Sequence, residues 1–236
     1  MTDHDIALHY APTIFFDRLE TIPLRAVGYT IARQTMPSAS FPKRSLTVRE
    51  NASFVIEYAY YWNYDIQHGY DLEHIWVTVG KDGRVMNAEG SFHGAYLNLF
   101  APDLTCARPP IGDSVEAFCQ PGKHAFLPNG QLFRLIPGWF ESCNAHCGGA
   151  ILIGNPFSAQ YSPTGADLFT PTQEENQQCE RYIKEHLAFE PSMEFTMTMP
   201  ETVEYMPWPE LYAKIPEWIR DECARVKKIY EGVSRS

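Results

Sequence analysis

Positive charge is what this sequence has least of. Its 19 Lys and Arg stand against 29 Asp and Glu, for a formal net charge of -10. A nucleic-acid partner is therefore not expected, because phosphate binding draws on a basic surface. Uninterrupted apolar runs are also missing: no stretch approaches the roughly 20 residues that a membrane-spanning helix needs, so no membrane span is expected. The opening "MTDHDIALHYAPTIFF" has Asp and His where an export signal carries a basic region and an apolar run. On that basis the expected location is the cytoplasm. Six cysteines occur without a Cys-x-x-Cys pair, and reduced thiols are expected rather than disulfides. A phosphate-binding Walker loop, a dinucleotide fingerprint and a Gly-x-Ser-x-Gly elbow are all absent from the sequence.

What is present is apolar and aromatic: 44% hydrophobic residues, with 14 Phe, 13 Tyr and 5 Trp. Such residues suit pleated surfaces. "FVIEYAYYW" reads as one strand, and "HIWVTVGKDGRVMNAEGSF" as two strands joined in a hairpin across Gly80 to Gly83. "TIPLRAVGYTIAR" supplies a further strand. Between Ala101 and Phe157 prolines and glycines recur, which predicts long loops framing short strands. In "TPTQEENQQCERYIKEHLAF" we place a helix start at Thr170 as cap, with Pro171 first in the helix and Gln173 three residues after the cap. Cys179, Tyr182, Ile183 and Leu187 follow helical spacing, as do Trp218, Ile219, Val226 and Ile229 in the last segment. The expected architecture is a single α+β domain over residues 1–236. It has a mainly antiparallel core, long loops and two or more C-terminal helices.

The densest polar stretch is "DIQHGYDLEH", residues 65–74. Strand alternation puts Asp71, Glu73, Ile75, Val77 and Val79 on one side and Leu72, His74, Trp76 and Thr78 on the other. Two carboxylates entering an apolar face repel each other and resist desolvation. A divalent cation would resolve both problems, with His68 adding a neutral nitrogen. His74 should face away. Counting back through the hairpin sets His93 of "SFHG" opposite Leu72, Asp71 or Tyr70, depending on turn length, so "SFHG" lies beside "HGYDLE". His124, in the loop "PGKHAFLP", is a further candidate for the same pocket, with Lys123 beside it as a partner for an anionic group. "CNAHC", residues 143–147, resembles half of a zinc site without its other half. A Cys147 nucleophile served by His124 or His146 is the weakest candidate.

"HGYDLEHIWV" followed by "SFHG" resembles the signature of necrosis- and ethylene-inducing-like proteins, a Gly-His-x-His-Asp-Trp-Glu-His run and a later Ser-x-His-Gly. A fungal vacuolar-sorting-associated family is similar in its Asp-Trp-Glu-His and Gly-x-His-Ala, matched here by "GKHAF". The resemblance spans roughly residues 60–126. It implies a β-sandwich with flanking helices and a divalent ion held by His68, Asp71 and Glu73, with Asp65 as the upstream carboxylate. Tyr70 and Leu72 replace the signature's second His and its Trp, and an export signal is not expected, which argues against a membrane-toxin role.

The ligand set favours Mg, Mn or Ca, and zinc of the catalytic kind also fits. Two functions follow. One is a metal-dependent hydrolase of a small ester, phosphoester or glycoside, with His93 or His124 as general acid or base. The other is a non-catalytic module that binds a glycan or head group through the ion. The ligand is a small molecule or a glycan, and the sequence leaves the oligomeric state open.

Overall fold

The computed structural model describes residues 1–41, 44–99, 115–149, 170–198 and 203–233. The strands are β1 (Thr13–Asp17), β2 (Ala26–Ala32), β3 (Met36–Pro37), β4 (Ser45–Leu46), β5 (Ala52–Trp62), β6 (Asp71–Gly80), β7 (Val85–Phe92), β8 (Ala95–Asn98), β9 (Glu116–Cys119), β10 (Phe126–Leu127), β11 (Phe195–Thr198) and β12 (Glu204–Pro207). The helices are α1 (Asp3–His9), α2 (Trp139–Cys143), α3 (Gln173–His186) and α4 (Trp208–Val233). This is the expected α+β architecture.

A six-stranded sheet in the order β12-β2-β5-β6-β7-β8 faces a four-stranded sheet in the order β10-β9-β1-β11. Most neighbours are antiparallel, but β12 pairs β2 and β1 pairs β9 in parallel. The long central strands carry the register. Tyr60 pairs Glu73 and Trp62 pairs Asp71 across β5 and β6, and Ile75 pairs Gly90 across β6 and β7. The hairpin turn falls where the glycines predict it, with Gly80 N–H donating to Arg84 O at 2.8 Å and Gly83 N–H to Gly80 O at 3.0 Å.

Alternation along β5 and β6 then decides what each face does. Ile56, Tyr58, Tyr60 and Trp62, with Ile75, Val77 and Val79, point into the space between the sheets and are all buried. From the facing sheet, Phe126 meets the rings of Tyr60 at 5.1 Å and Trp62 at 6.5 Å, and Phe16 meets Trp62 at 6.5 Å. Each such aromatic pair is worth about 0.5–1.5 kcal/mol beyond the burial itself. Gly90 is part of this fit, since a Cβ there would stand 2.7 Å from Phe126 Cβ.

The outer face is covered in two parts. α4 lies over Gly28, where a Cβ would stand 2.7 Å from Leu211, and its Trp218 ring meets Tyr61 at 5.5 Å. The segment through β3 and β4 covers the rest. There Glu57, buried in β5, accepts hydrogen bonds from Ser38 (2.6 Å), Ser40 (2.7 Å) and the Trp76 indole (2.7 Å). α3 packs on α4 through its buried Cys179 and Ile183. Its start corrects the sequence reading by two residues. Thr172, not Thr170, is the cap, because Glu175 three residues on returns a carboxylate to the Thr172 N–H at 2.7 Å, a closed capping box that Gln173 does not supply.

Gly90→Ala is expected to lower stability by about 1–3 kcal/mol through overpacking at the sheet interface, measured by urea unfolding. A neutral or stabilising change would mean that the two sheets do not approach as closely as this.

Candidate functional site

At one end of the sandwich, the start of β6 meets three loops. The first, residues 63–70, is folded around Asp65. Its carboxylate accepts from the backbone N–H groups of Gln67 and His68, and from the His68 ring Nδ1 at 2.8 Å. The second loop joins β9 to β10 and docks on the first. Ile66 N–H donates to Gly122 O at 2.9 Å, and a Cβ on Gly122 would stand 2.6 Å from Ile66, at a φ of +72° that favours glycine in any case. From this loop Lys123 Nζ reaches Asp65 and lies 3.3 Å from His68 Nδ1. The third loop is the turn between β7 and β8. Phe92 pairs Ala95, leaving His93 and Gly94 as a two-residue turn with φ of 50° and 81°, the left-handed pattern of a tight hairpin.

These loops assemble a carboxylate cluster. Asp71 Oδ2 lies 2.8 Å from His124 Nδ1, and the His124 ring stacks flat on Trp62 at 4.2 Å. Glu73 accepts from the Ser91 hydroxyl. Ser91 also takes the His74 N–H at 2.6 Å, standing in for a ladder bond beyond the last β6–β7 pair. Ser91 of "SFHG" thus lies beside Glu73 and His74, while the expected pairing of His93 with Leu72, Asp71 or Tyr70 does not form. The His93 ring turns to Gln120, with Nε2 2.8 Å from Oε1. The β6–β7 pairing ends at Ile75 and Gly90, and the tight turn carries His93 away from β6.

Burial and mutual repulsion set the charges. Desolvation, then the Asp65 charge, pushes Asp71 well above the usual carboxylate range, against Lys123 and His68. Desolvation, then Asp71, does the same to Glu73, against the Ser91 hydrogen bond. Desolvation also opposes ionisation of Asp65, but His68 and Lys123 outweigh it and hold its carboxyl low. The one lysine therefore serves Asp65 most and leaves Asp71 and Glu73 under-compensated. Burial drives His124 down to about 4, so it is neutral at pH 7, and lowers His93 as well.

His93 is exposed, His68 is partly exposed, and His124 is wholly buried. Of the two imidazoles read as acid or base, only His93 can therefore meet a bound molecule. His124 instead positions Asp71. Both sit at positive φ, where non-glycine residues are uncommon, and Met193 is the other such residue among those described. His74 faces away, as predicted. Its ring stacks on Trp76 at 5.5 Å, hydrogen-bonds Ser40 at 3.0 Å and is pushed down to about 3 by burial, which makes it a core histidine. Sequence reasoning missed Gln120, Ser91 as a partner of Glu73, and Lys123 as the counter-ion of Asp65. A Gln set directly before a Pro-Gly turn was the available signal for Gln120.

Among the described residues, no three His, Cys, Asp or Glu side chains converge in an arrangement ready to hold a metal ion. His68 and Asp65 face Lys123, Asp71 faces His124, and Glu73 faces Ser91. "CNAHC" does not close on itself either. Cys143 and Cys147 are buried and donate to the carbonyls of Pro121 and Ile66, while His146 is exposed. Burial raises the Cys147 thiol to about 11, which corrects the nucleophile reading. Cys106 lies outside the described residues.

Asp71→Asn is expected to stabilise the metal-free protein at pH 7 and above. An acid whose proton is held more tightly in the folded state costs stability as pH climbs past its unfolded value, and each tenfold gain in proton affinity on folding corresponds to about 1.4 kcal/mol. The benefit of the substitution should shrink toward zero near pH 3, where both states hold the proton. Urea unfolding across pH checks this; a pH-independent loss would mean that Asp71 contributes only structure.

No family model matches the chain, and no curated protein matches it. Among solved structures it is similar to a mutant of NLPPya, a necrosis- and ethylene-inducing-like protein. The identity is 12% and the TM-score 0.31, over 64% of this chain and 82% of that one.

Proposed function

We propose that this protein binds a divalent cation through Asp65, Asp71 and Glu73, with His68 as a nitrogen donor, and uses it at an open surface beside His93 as a metal-dependent hydrolase of a small ester, phosphoester or glycoside. The observation that carries this reading is the gathering of three carboxylates on two adjoining segments, with Lys123 the one ammonium that offsets them among the described residues. A structural cluster would be expected to balance its charges. This one holds Asp71 and Glu73 in an environment that favours a further positive charge.

The donor chemistry suits the ion. Three carboxylates and one imidazole form a hard, oxygen-rich set that favours Mg, Mn or Ca, and zinc of the catalytic type is compatible. The side chains would have to turn from His124, Ser91 and Lys123 toward a common centre. A bound ion would supply Lewis acidity and coordination for substrate oxygens. His93 would supply the proton transfer. As the Gln120 amide is oriented, Nε2–H donates to Oε1 and Nδ1 keeps its lone pair, and its lowered proton affinity leaves the ring neutral at pH 7.

A second reading is favoured by the burial of His124. With one imidazole at the surface instead of two, the site resembles a binding module that would hold glycan or head-group oxygens without turnover.

Metal analysis of the purified protein beside Glu73→Ala tests the shared premise. A stoichiometric ion that is lost in the variant is expected; if wild type neither holds nor takes up Mg, Mn, Ca or Zn, the reading fails. With ion in place, a panel of phosphatase, esterase and glycosidase substrates separates the two functions. Turnover reduced about 10²–10⁴-fold by His93→Ala with the ion retained supports the hydrolase. Metal-dependent glycan binding without turnover supports the module.

A further inference from the structure

A second polar site stands on the outer face of β6, β7 and β8, across the sheet from Asp71 and Glu73. It is a cleft of about 410 Å³, the size of a small-molecule site. Arg44, Arg49, Asn51, Asn87, Glu89 and Tyr96 contribute to its lining. Its key residue is Arg44, whose side chain is only 9% exposed. The guanidinium is clamped between two rings, 3.7 Å from the Trp76 centroid and 3.9 Å from that of Tyr96. One nitrogen, Nη2, pairs with Glu89 Oε2 at 2.5 Å.

Among the described residues, Nε and Nη1 of Arg44 are buried and find no hydrogen-bond acceptor. A guanidinium carries five N–H donors, and leaving charged donors buried and unmet is costly. The clamp also fixes the plane of the group, so its donors are aimed in advance instead of searching. Arg49 adds a second positive charge to the cleft, where Glu89 is the one carboxylate in the lining among the described residues, in a chain of net charge -10. Asn51 and Asn87 offer neutral donors. Tyr96 is 47% exposed and forms the outer wall of the clamp, so it is the side chain whose movement would admit a ligand.

We infer that this cleft binds a small oxyanion-bearing molecule, a phosphate or carboxylate, that accepts from the free donors of Arg44 and is held by Arg49 and the asparagines. The site is independent of the carboxylate cluster and of any ion there, since the two lie on opposite faces of β6.

The test is a titration of the full chain with inorganic phosphate and, separately, citrate, followed by the Arg44 Nε–Hε resonance in ¹H–¹⁵N spectra, with sodium chloride at matched ionic strength as control. A saturable shift with phosphate or citrate but not chloride is expected, and the anion that produces it identifies the ligand's acidic group. Arg49→Gln should weaken the affinity about tenfold, the scale of one charged hydrogen bond. Asp71→Asn should leave it unchanged. Arg44→Lys, followed through the Arg49 Nε–Hε resonance because the Arg44 reporter is gone, should abolish the saturable shift; if that variant does not fold, the Arg49→Gln comparison still decides. A shift that grows linearly without saturation, that chloride reproduces, or that Arg49→Gln leaves unaltered overturns the inference.

Discussion

Among the described residues, three carboxylates, Asp65, Asp71 and Glu73, compete for one lysine, Lys123, at the end of a sheet sandwich, and the organisation of the site follows from that competition. Taking ionised carboxylates out of water is expensive, and setting them side by side adds repulsion. Lys123 relieves Asp65 most, and the remainder of the burden falls on Asp71 and Glu73. The protein meets it with local partners: His124 for Asp71, itself fixed by stacking on Trp62, and Ser91 for Glu73. These are neutral partners at pH 7. They supply hydrogen bonds without cancelling charge, and the proposed cation rests on that imbalance.

The fold makes the crowding possible. β5 and β6 pair through Trp62 and Asp71, so the last turn of apolar core and the first carboxylate share one rung of the ladder. Beyond the next inner rung, Tyr60 with Glu73, the inner face of β6 is apolar, formed by Ile75, Val77 and Val79. Above the Trp62–Asp71 rung, the 63–70 loop closes around Asp65 and is locked to the β9–β10 turn by Gly122, which brings Lys123 and His124 to the cluster from more than fifty residues away. The glycine is required there by both its φ and its approach to Ile66. The tight His93–Gly94 turn then sets an exposed imidazole at the rim.

Much of this was legible in the residues. Alternation along "DLEHIWVTV" assigned each side chain of β6 to its face, including His74 away from the cluster, because a period of two leaves no freedom once one face is buried. The glycines of the β6–β7 turn located the hairpin. What could not be read was where the ladder stops. Ser91 replaces a backbone partner at His74, and the chain turns back at His93 two residues later, so the ring reaches Gln120 instead of Asp71. Tertiary approach was equally hidden. Nothing local to "PGKHAF" shows that Lys123 goes to Asp65 while His124 is stacked out of reach of solvent, since both depend on a loop docking set by distant residues. The aromatic clamp on Arg44 was likewise invisible, built as it is from Trp76 and Tyr96 on separate strands.

If a divalent ion and Lys123 answer the same excess of negative charge, they must compete for it. Calorimetric titration of Mg, Mn and Ca into wild type and Lys123→Met is the most direct test. The account predicts tighter ion binding in Lys123→Met than in wild type, because removing the ammonium leaves all three carboxylates to the ion. Weaker or unchanged binding in that variant, or no binding in either protein, would contradict it.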